Sequence, residues 1–127
     1  MRMLSSEEAA DRWHEIKPRI EKALVHGIGE TTAHDHFLAI MAGNEQLWEN
    51  NLTFGITRVN VFPRFKQLQI VAATGSAWMK SHPVLEQFAK ELECSNMSVW
   101  GRPGWERALK PLGYKKAYTV MVKDLGE

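Results

Sequence analysis

The stretch Met97–Leu125, MSVWGRPGWERALKPLGYKKAYTVMVKDL, constrains the fold more than any other. Met97 to Trp100 reads as a short strand. Gly101, Arg102, Pro103 and Gly104 follow as a tight turn, since Gly and Pro have local conformational reasons to sit there. Trp105, Ala108, Leu109 and Leu112 recur at steps of three and four, the spacing of a short helix opening at Pro103. Gly113 stops it. Tyr114 to Val122 reads as a last strand, apolar on both faces through Tyr118, Val120, Met121 and Val122, and therefore central or covered on both sides. Such a unit must bury its apolar sides against a second layer, which the rest of the chain has to supply.

The 127 residues fit one domain, 1–127, large enough to bury a core without disulfides. A formal net charge of +1 creates no field that would favour nucleic acid or an anionic membrane, so neither is expected as a partner. The single cysteine, Cys94, excludes an intrachain disulfide and a cysteine-based zinc site. No apolar run reaches membrane-spanning length and no signal-peptide core opens the sequence, so a soluble protein is expected. Five tryptophans supply core anchors, with one or two left for an interface.

Upstream, Ser5 to His26 reads as a helix capped by Ser5 or Ser6, with Glu7 and Glu8 in the first turn and an apolar face of Ala9, Trp13, Ile16, Ile20 and Leu24. Pro18 predicts a kink or break. A second helix spans Thr32 to Ala42, burying Phe37, Ile40 and Met41. Asn44 to Trp48 is a short strand and Asn50-Asn51 a turn. Leu52 to Phe62 is a strand whose apolar phase slips near Thr57-Arg58, which predicts a bulge there. Phe65 to Ala73 returns antiparallel, with Leu68 and Ile70 on one face and Gln67 and Gln69 on the other. A loop around Gly75 leads to a helix opening at Ser81, His82 and Pro83. Its inner stripe is Val84, Leu85, Phe88 and Leu92, and Glu86 and Lys90 pair outside. The order predicts an α+β fold, a mixed sheet covered by helices.

That order resembles the GNAT (N-acetyltransferase) superfamily with its first strand missing or degenerate. At the residue level the likeness rests on the Met97–Trp100 strand, the Pro103–Leu112 helix and the Gly113-Tyr114 pair, which looks like the Gly-aromatic pair closing the fourth GNAT helix. VWGRPGWERALKPLGY also looks like small GNAT-like proteins of tailed bacteriophages. The resemblance implies a mostly antiparallel sheet flanked by helices, with acyl-CoA held where two parallel strands splay apart. It places the pyrophosphate loop at Ala72-Ala73-Thr74-Gly75-Ser76-Ala77. Gly75 and Ala77 fit the family motif, while Ala72 stands where Arg or Gln belongs. Leu109 stands in place of the tyrosine that protonates the leaving thiolate, Arg102 in place of an asparagine, and Trp105 in place of a small alanine. Tyr114 and Tyr118 are the remaining candidates for the acid. The strand Phe65–Ala73 offers no general base, and Glu49 reads as solvated.

Two constellations carry less. His34-Asp35-His36 invites a metal, but residues two apart on a helix point to different sides, so an exposed polar helix start is expected and no metal. Arg102 at a helix start suits an anion, against the simpler reading of a turn residue. Lys110, Lys115 and Lys116 read as a solvated face. The expectation is a GNAT-like domain with degenerate acyl-CoA and catalytic motifs. It would serve as a non-catalytic binding or virion and assembly module in a phage particle or the host cytoplasm, with protein partners that include other phage structural proteins. The alternative is a divergent N-acyltransferase using acetyl-CoA or CoA, with Thr74, Gly75, Ser76, Ala77 and Arg102 at the cofactor.

Overall fold

The computed structural model describes residues 1–51, 53–75, 77–101 and 103–126. A five-stranded sheet runs in the order β1 (Arg2–Met3), β2 (Glu45–Asn50), β3 (Thr53–Val61), β4 (Lys66–Ala73) and β5 (Asn96–Val99). The first four strands pair antiparallel and β4 pairs parallel with β5. The first strand, expected to be missing or degenerate, is present but only two residues long.

Two helices cover one face. Helix α1 (Ser6–Leu24) opens on a capping box in which Ser5 accepts from the Glu8 amide and Glu8 accepts from the Ser5 amide. It buries Ala9, Ile16 and Ile20. The expected break at Pro18 does not occur, and the helix runs through it. Pro18 and His14, whose carbonyl loses its partner, are both exposed, so water can satisfy the freed group. Helix α2 (Ala33–Met41) starts on a second capping box, Thr32 with Asp35. The buried side chains of both helices join Leu4, Leu47, Phe54 and Ile56 in one cluster. Each large apolar side chain buried there contributes about 1.5–3 kcal/mol.

On the opposite face sit a 3-10 turn (Ala77–Ser81), α3 (His82–Glu91) and the short α4 (Pro103–Leu109), continued by a 3-10 turn to Leu112. Trp48, Ile70, Trp78, Leu85 and Leu109 form the second cluster. Leu47 and Trp48 are neighbours on β2 and feed opposite clusters, as the two-residue strand period requires. In α3 the buried residues are His82, Leu85 and Ala89; Val84, expected inside, is 42% exposed.

The register shifts between Ile56 and Thr57, beside the expected Thr57-Arg58, but the extra residue lies on the partner strand. Ile56 pairs with Ala72 and Thr57 with Ile70, leaving Val71 as the extra residue of β4. Val71 and Ala72 accordingly pack on the same cluster although they are adjacent. Strand β3 itself keeps its alternation. Its apolar phase changes because Arg58, on the first face, is polar and bonds Glu45.

Tyr114 to Val122 is not a strand. Strand propensity is legible in these residues, but a strand needs a neighbour to take its backbone hydrogen bonds, and among the described residues none pairs with this segment. Tyr118, Val120, Met121 and Val122 are exposed instead of covered.

Candidate functional site

Parallel pairing between β4 and β5 stops at Ile70 and Val99, and the bulged residue Val71 comes next. Beyond that point β4 continues to Ala73 paired with β3 only, while β5 ends at Val99 and is followed by Trp100 and Gly101. The sequence places its candidate residues here, at the diverging ends.

On the β4 side, Thr74 is tied to β3. Its amide donates to the Phe54 carbonyl at 2.9 Å, and its hydroxyl accepts from the Phe54 amide at 2.8 Å. Gly75 is exposed with φ +69°, a left-handed conformation that favours glycine. Ser76 lies outside the described residues, and Ala77 opens the 3-10 turn. As Pro83 predicts, the α-helix begins only at His82. The cap residue Ser81 makes no side-chain bond to the helix; its hydroxyl accepts from Asn50 at 2.8 Å.

On the β5 side, Trp105 folds back over the strand end. A Cβ on Gly101 would lie 2.8 Å from its ring atoms, so glycine is what permits this approach. The Trp105 ring stands 5.5 Å from that of Trp78. Both indoles belong to the cluster that includes Ile70, Ala73 and Val99, so they occupy the sheet face where the two strands end. Trp78 is buried, and its indole N–H has no hydrogen-bond partner among the described residues. Leu109 is buried in the same cluster. Trp100 is 62% exposed, and Arg102 lies outside the described residues.

Tyr114 is the one candidate acid with polar company. Its hydroxyl lies 2.7 Å from His82 Nε2, and His82 Nδ1 lies 3.2 Å from Glu86 Oε1. Glu86 therefore faces His82 rather than the expected Lys90. Burial holds His82 below its ordinary value and pushes the Tyr114 phenol up to about 12. Both groups are then neutral near pH 7, with Tyr114 donating to Nε2 and Nδ1–H donating to Glu86. Tyr118 is exposed.

The Thr74 amide is engaged in the sheet, Leu109 carries no proton to give, and two indoles fill the face beside the strand ends. Two surface hollows of about 290 and 280 Å³ lie elsewhere, one by Met3, Leu4, Ile40 and Leu47 and one by Glu21, Leu24, Thr31 and Thr32.

Two polar groups depart from the sequence reading. His36, expected on an exposed helix start, is buried. Its Nδ1 lies 2.7 Å from Glu45 Oε1 and its Nε2 2.9 Å from the Thr31 hydroxyl, while Arg58 bonds Glu45 Oε2 at 2.7 Å. The network ties α2 to β2 and β3. Glu45 is separated from His36 by a glycine turn and from Arg58 by a hairpin, so no sequence spacing reveals the group. Glu49, expected to be solvated, is largely buried and ion-paired with Arg12 and Arg2. The guanidinium of Arg12 holds its carboxyl below the usual range. Among the described residues no group of three metal-ligating side chains occurs, and no helix is long and apolar enough to cross a membrane.

No protein-family model matches the sequence, and no curated protein matches it. Solved structures do match. A ribosomal-protein-alanine N-acetyltransferase from Brucella melitensis superposes with a TM-score of 0.69 at 12% identity, over 98% of each chain. A predicted acetyltransferase from Clostridium acetobutylicum, solved with acetyl-CoA, gives 0.68 at 13% over 98% of this chain and 94% of that one. A GNAT family acetyltransferase from Staphylococcus aureus gives 0.64 at 13% over 98% and 96%. At these identities the likeness is one of fold, and the fold is GNAT-like.

Proposed function

We propose that this chain uses a GNAT-like scaffold as a protein-binding module without acyl transfer. The observation that carries the reading is the packing of Trp78 against Trp105 on the sheet face where β4 and β5 diverge. The family resemblance assigns that space to the pantetheine arm, and here it is core. The engaged Thr74 amide and the buried Leu109 support the same reading. A scaffold retained after its chemistry is lost is physically reasonable, because fold and site are separable. The phage setting, in the particle or its assembly, rests on the likeness of VWGRPGWERALKPLGY to phage proteins. Mass spectrometry of purified particles tests it.

The second reading, a divergent acyl-CoA-dependent N-acyltransferase, draws on the hydrogen-bonded Tyr114–His82 pair. A thiol-release assay with acetyl-CoA and a panel of amines separates the two. The binding-module reading expects no release above the protein-free rate. Release that is lost in Tyr114→Phe would establish the enzyme instead.

A further inference from the structure

We propose that the polar half of the sheet face shared with α1 and α2, a row of amide side chains ended by Phe62 and Phe65, binds a neutral oligosaccharide. Where the helices pack, this face is apolar, through Phe54 and Ile56 of β3 and Val71 and Ala72 of β4. Farther along the strands the same face turns polar. Asn60 of β3 stands opposite Gln67 of β4, which stands opposite Asn96 of β5, and Gln69 stands opposite Ser98.

The amides hold one another in place. Asn60 Nδ2 donates to Gln69 Oε1 at 2.9 Å, Gln67 Nε2 donates to Asn96 Oδ1 at 2.9 Å, and the Ser98 hydroxyl donates to Gln67 Oε1 at 2.8 Å. These bonds fix the side chains without using them up. Gln69 is only 7% exposed, yet its Nε2 has no hydrogen-bond partner among the described residues. A donor in that position suits an oxygen brought by a ligand. Asn96 is exposed, and Asn60, Gln67 and Ser98 are half-buried, so the row is reached from solvent. Phe62 and Phe65 close it at the β3–β4 turn, where alternation from Asn60 and Gln67 puts both on this face. The Phe62 amide donates to the Phe65 carbonyl at 2.9 Å, and the rings meet edge to face at 5.3 Å while staying 42 and 38% exposed.

The chemistry of the row selects the ligand. A hydroxyl both donates and accepts, and a planar amide offers one of each side by side, so neighbouring amides match neighbouring ring hydroxyls. The negative face of an aromatic ring takes the C–H face of a sugar. Neighbouring strands stand about 4.8 Å apart, so amides on β3, β4 and β5 reach along a short chain of sugars rather than a single ring. Charge decides against a nucleic acid strand, which needs cations along its backbone. Arg58, which borders the row, is bonded to the buried Glu45, and Lys66 alternates onto the opposite face. An apolar protein surface would bury the amides without partners. Gln67 lies near the start of β4 and Thr74 just past its end, about 20 Å apart along the strand. The row is therefore distinct from the diverging strand ends, and its role stands whether or not acyl transfer is lost.

A printed array of neutral and acidic glycans, probed with the labelled full chain, tests this, followed by NMR of the side-chain amide signals as the retained sugar is added. The expected result is retention on at least one neutral oligosaccharide, with shifts at Asn60, Gln67, Gln69 and Asn96. Gln67→Glu and Phe65→Ala should each weaken binding about tenfold, the loss of one polar or one ring contact. Val84→Ala, at an exposed position on α3, should leave it unchanged. The wild-type shift map decides the matter even where a variant unfolds. Four results overturn the proposal: no neutral glycan retained, shifts confined to the diverging strand ends, binding indifferent to both variants, or the same amides shifting with a single-stranded oligonucleotide and not with sugar.

Discussion

At the scale of single residues, polar side chains set the limits of stability. His82 and Tyr114 both sit where burial disfavours their charged forms. The folded His82 value lies below its ordinary 6.5, so its contribution is complete above that pH and is lost as pH falls through the depressed value. The folded Tyr114 value is raised from 10 to about 12, so its contribution is complete below pH 10 and fades as pH rises through 12. Denaturant unfolding of Tyr114→Phe should show a loss of about 1 kcal/mol at neutral pH, the worth of one hydrogen bond. It should also show a flatter alkaline limb between pH 10 and 12 than the parent. An unchanged alkaline limb would mean that Tyr114 ionises freely. The His36–Glu45–Arg58 group is a second buried polar network, held by hydrogen bonds on the other side of the sheet. The Glu45 side chain is fully buried, so each of its two oxygens needs its donor, and the network fixes α2 on the sheet.

At the scale of elements, helix α1 carries a removable flaw. Pro18 lies on its exposed side in an otherwise regular 19-residue helix. Pro18→Ala restores one backbone hydrogen bond and should stabilise the protein by about 2 kcal/mol, read as a higher denaturant midpoint at unchanged slope. A destabilised variant would show that the proline's fixed φ matters more than the lost bond. Elements of this kind were largely legible in the sequence, because the serine cap at the start of α1, the glycine stop at 113 and the β3–β4 hairpin are local signals. What escaped is non-local. The bulge was read on β3 because its apolar pattern shifts, yet the extra residue is Val71 on the facing strand, and only pairing reveals which strand carries it. His36 was read as exposed because its partners Glu45 and Arg58 come from two later strands. The segment after Tyr114 has strand composition but no strand beside it in the single chain. Around the candidate site, the bond from Tyr114 to His82, 32 residues earlier, has no local signal in the sequence.

At the scale of the whole molecule, a GNAT-like frame holds its two helical layers about a sheet that splays where β4 and β5 part. Their pairing ends beside the Val71 bulge and the Gly101 turn, and Trp78 and Trp105 pack on the sheet face there. On the proposed reading, the scaffold has parted from the chemistry of the acetyltransferases it resembles and serves as a docking module. On that reading, the Thr74 amide is held by β3 and the indole pair takes up volume a cofactor would need. Calorimetric titration of the wild-type chain with acetyl-CoA and CoA tests this most directly. The account predicts no heat of binding up to millimolar ligand. Saturable binding in the micromolar range, weakened by a bulky substitution at Gly75, would contradict it.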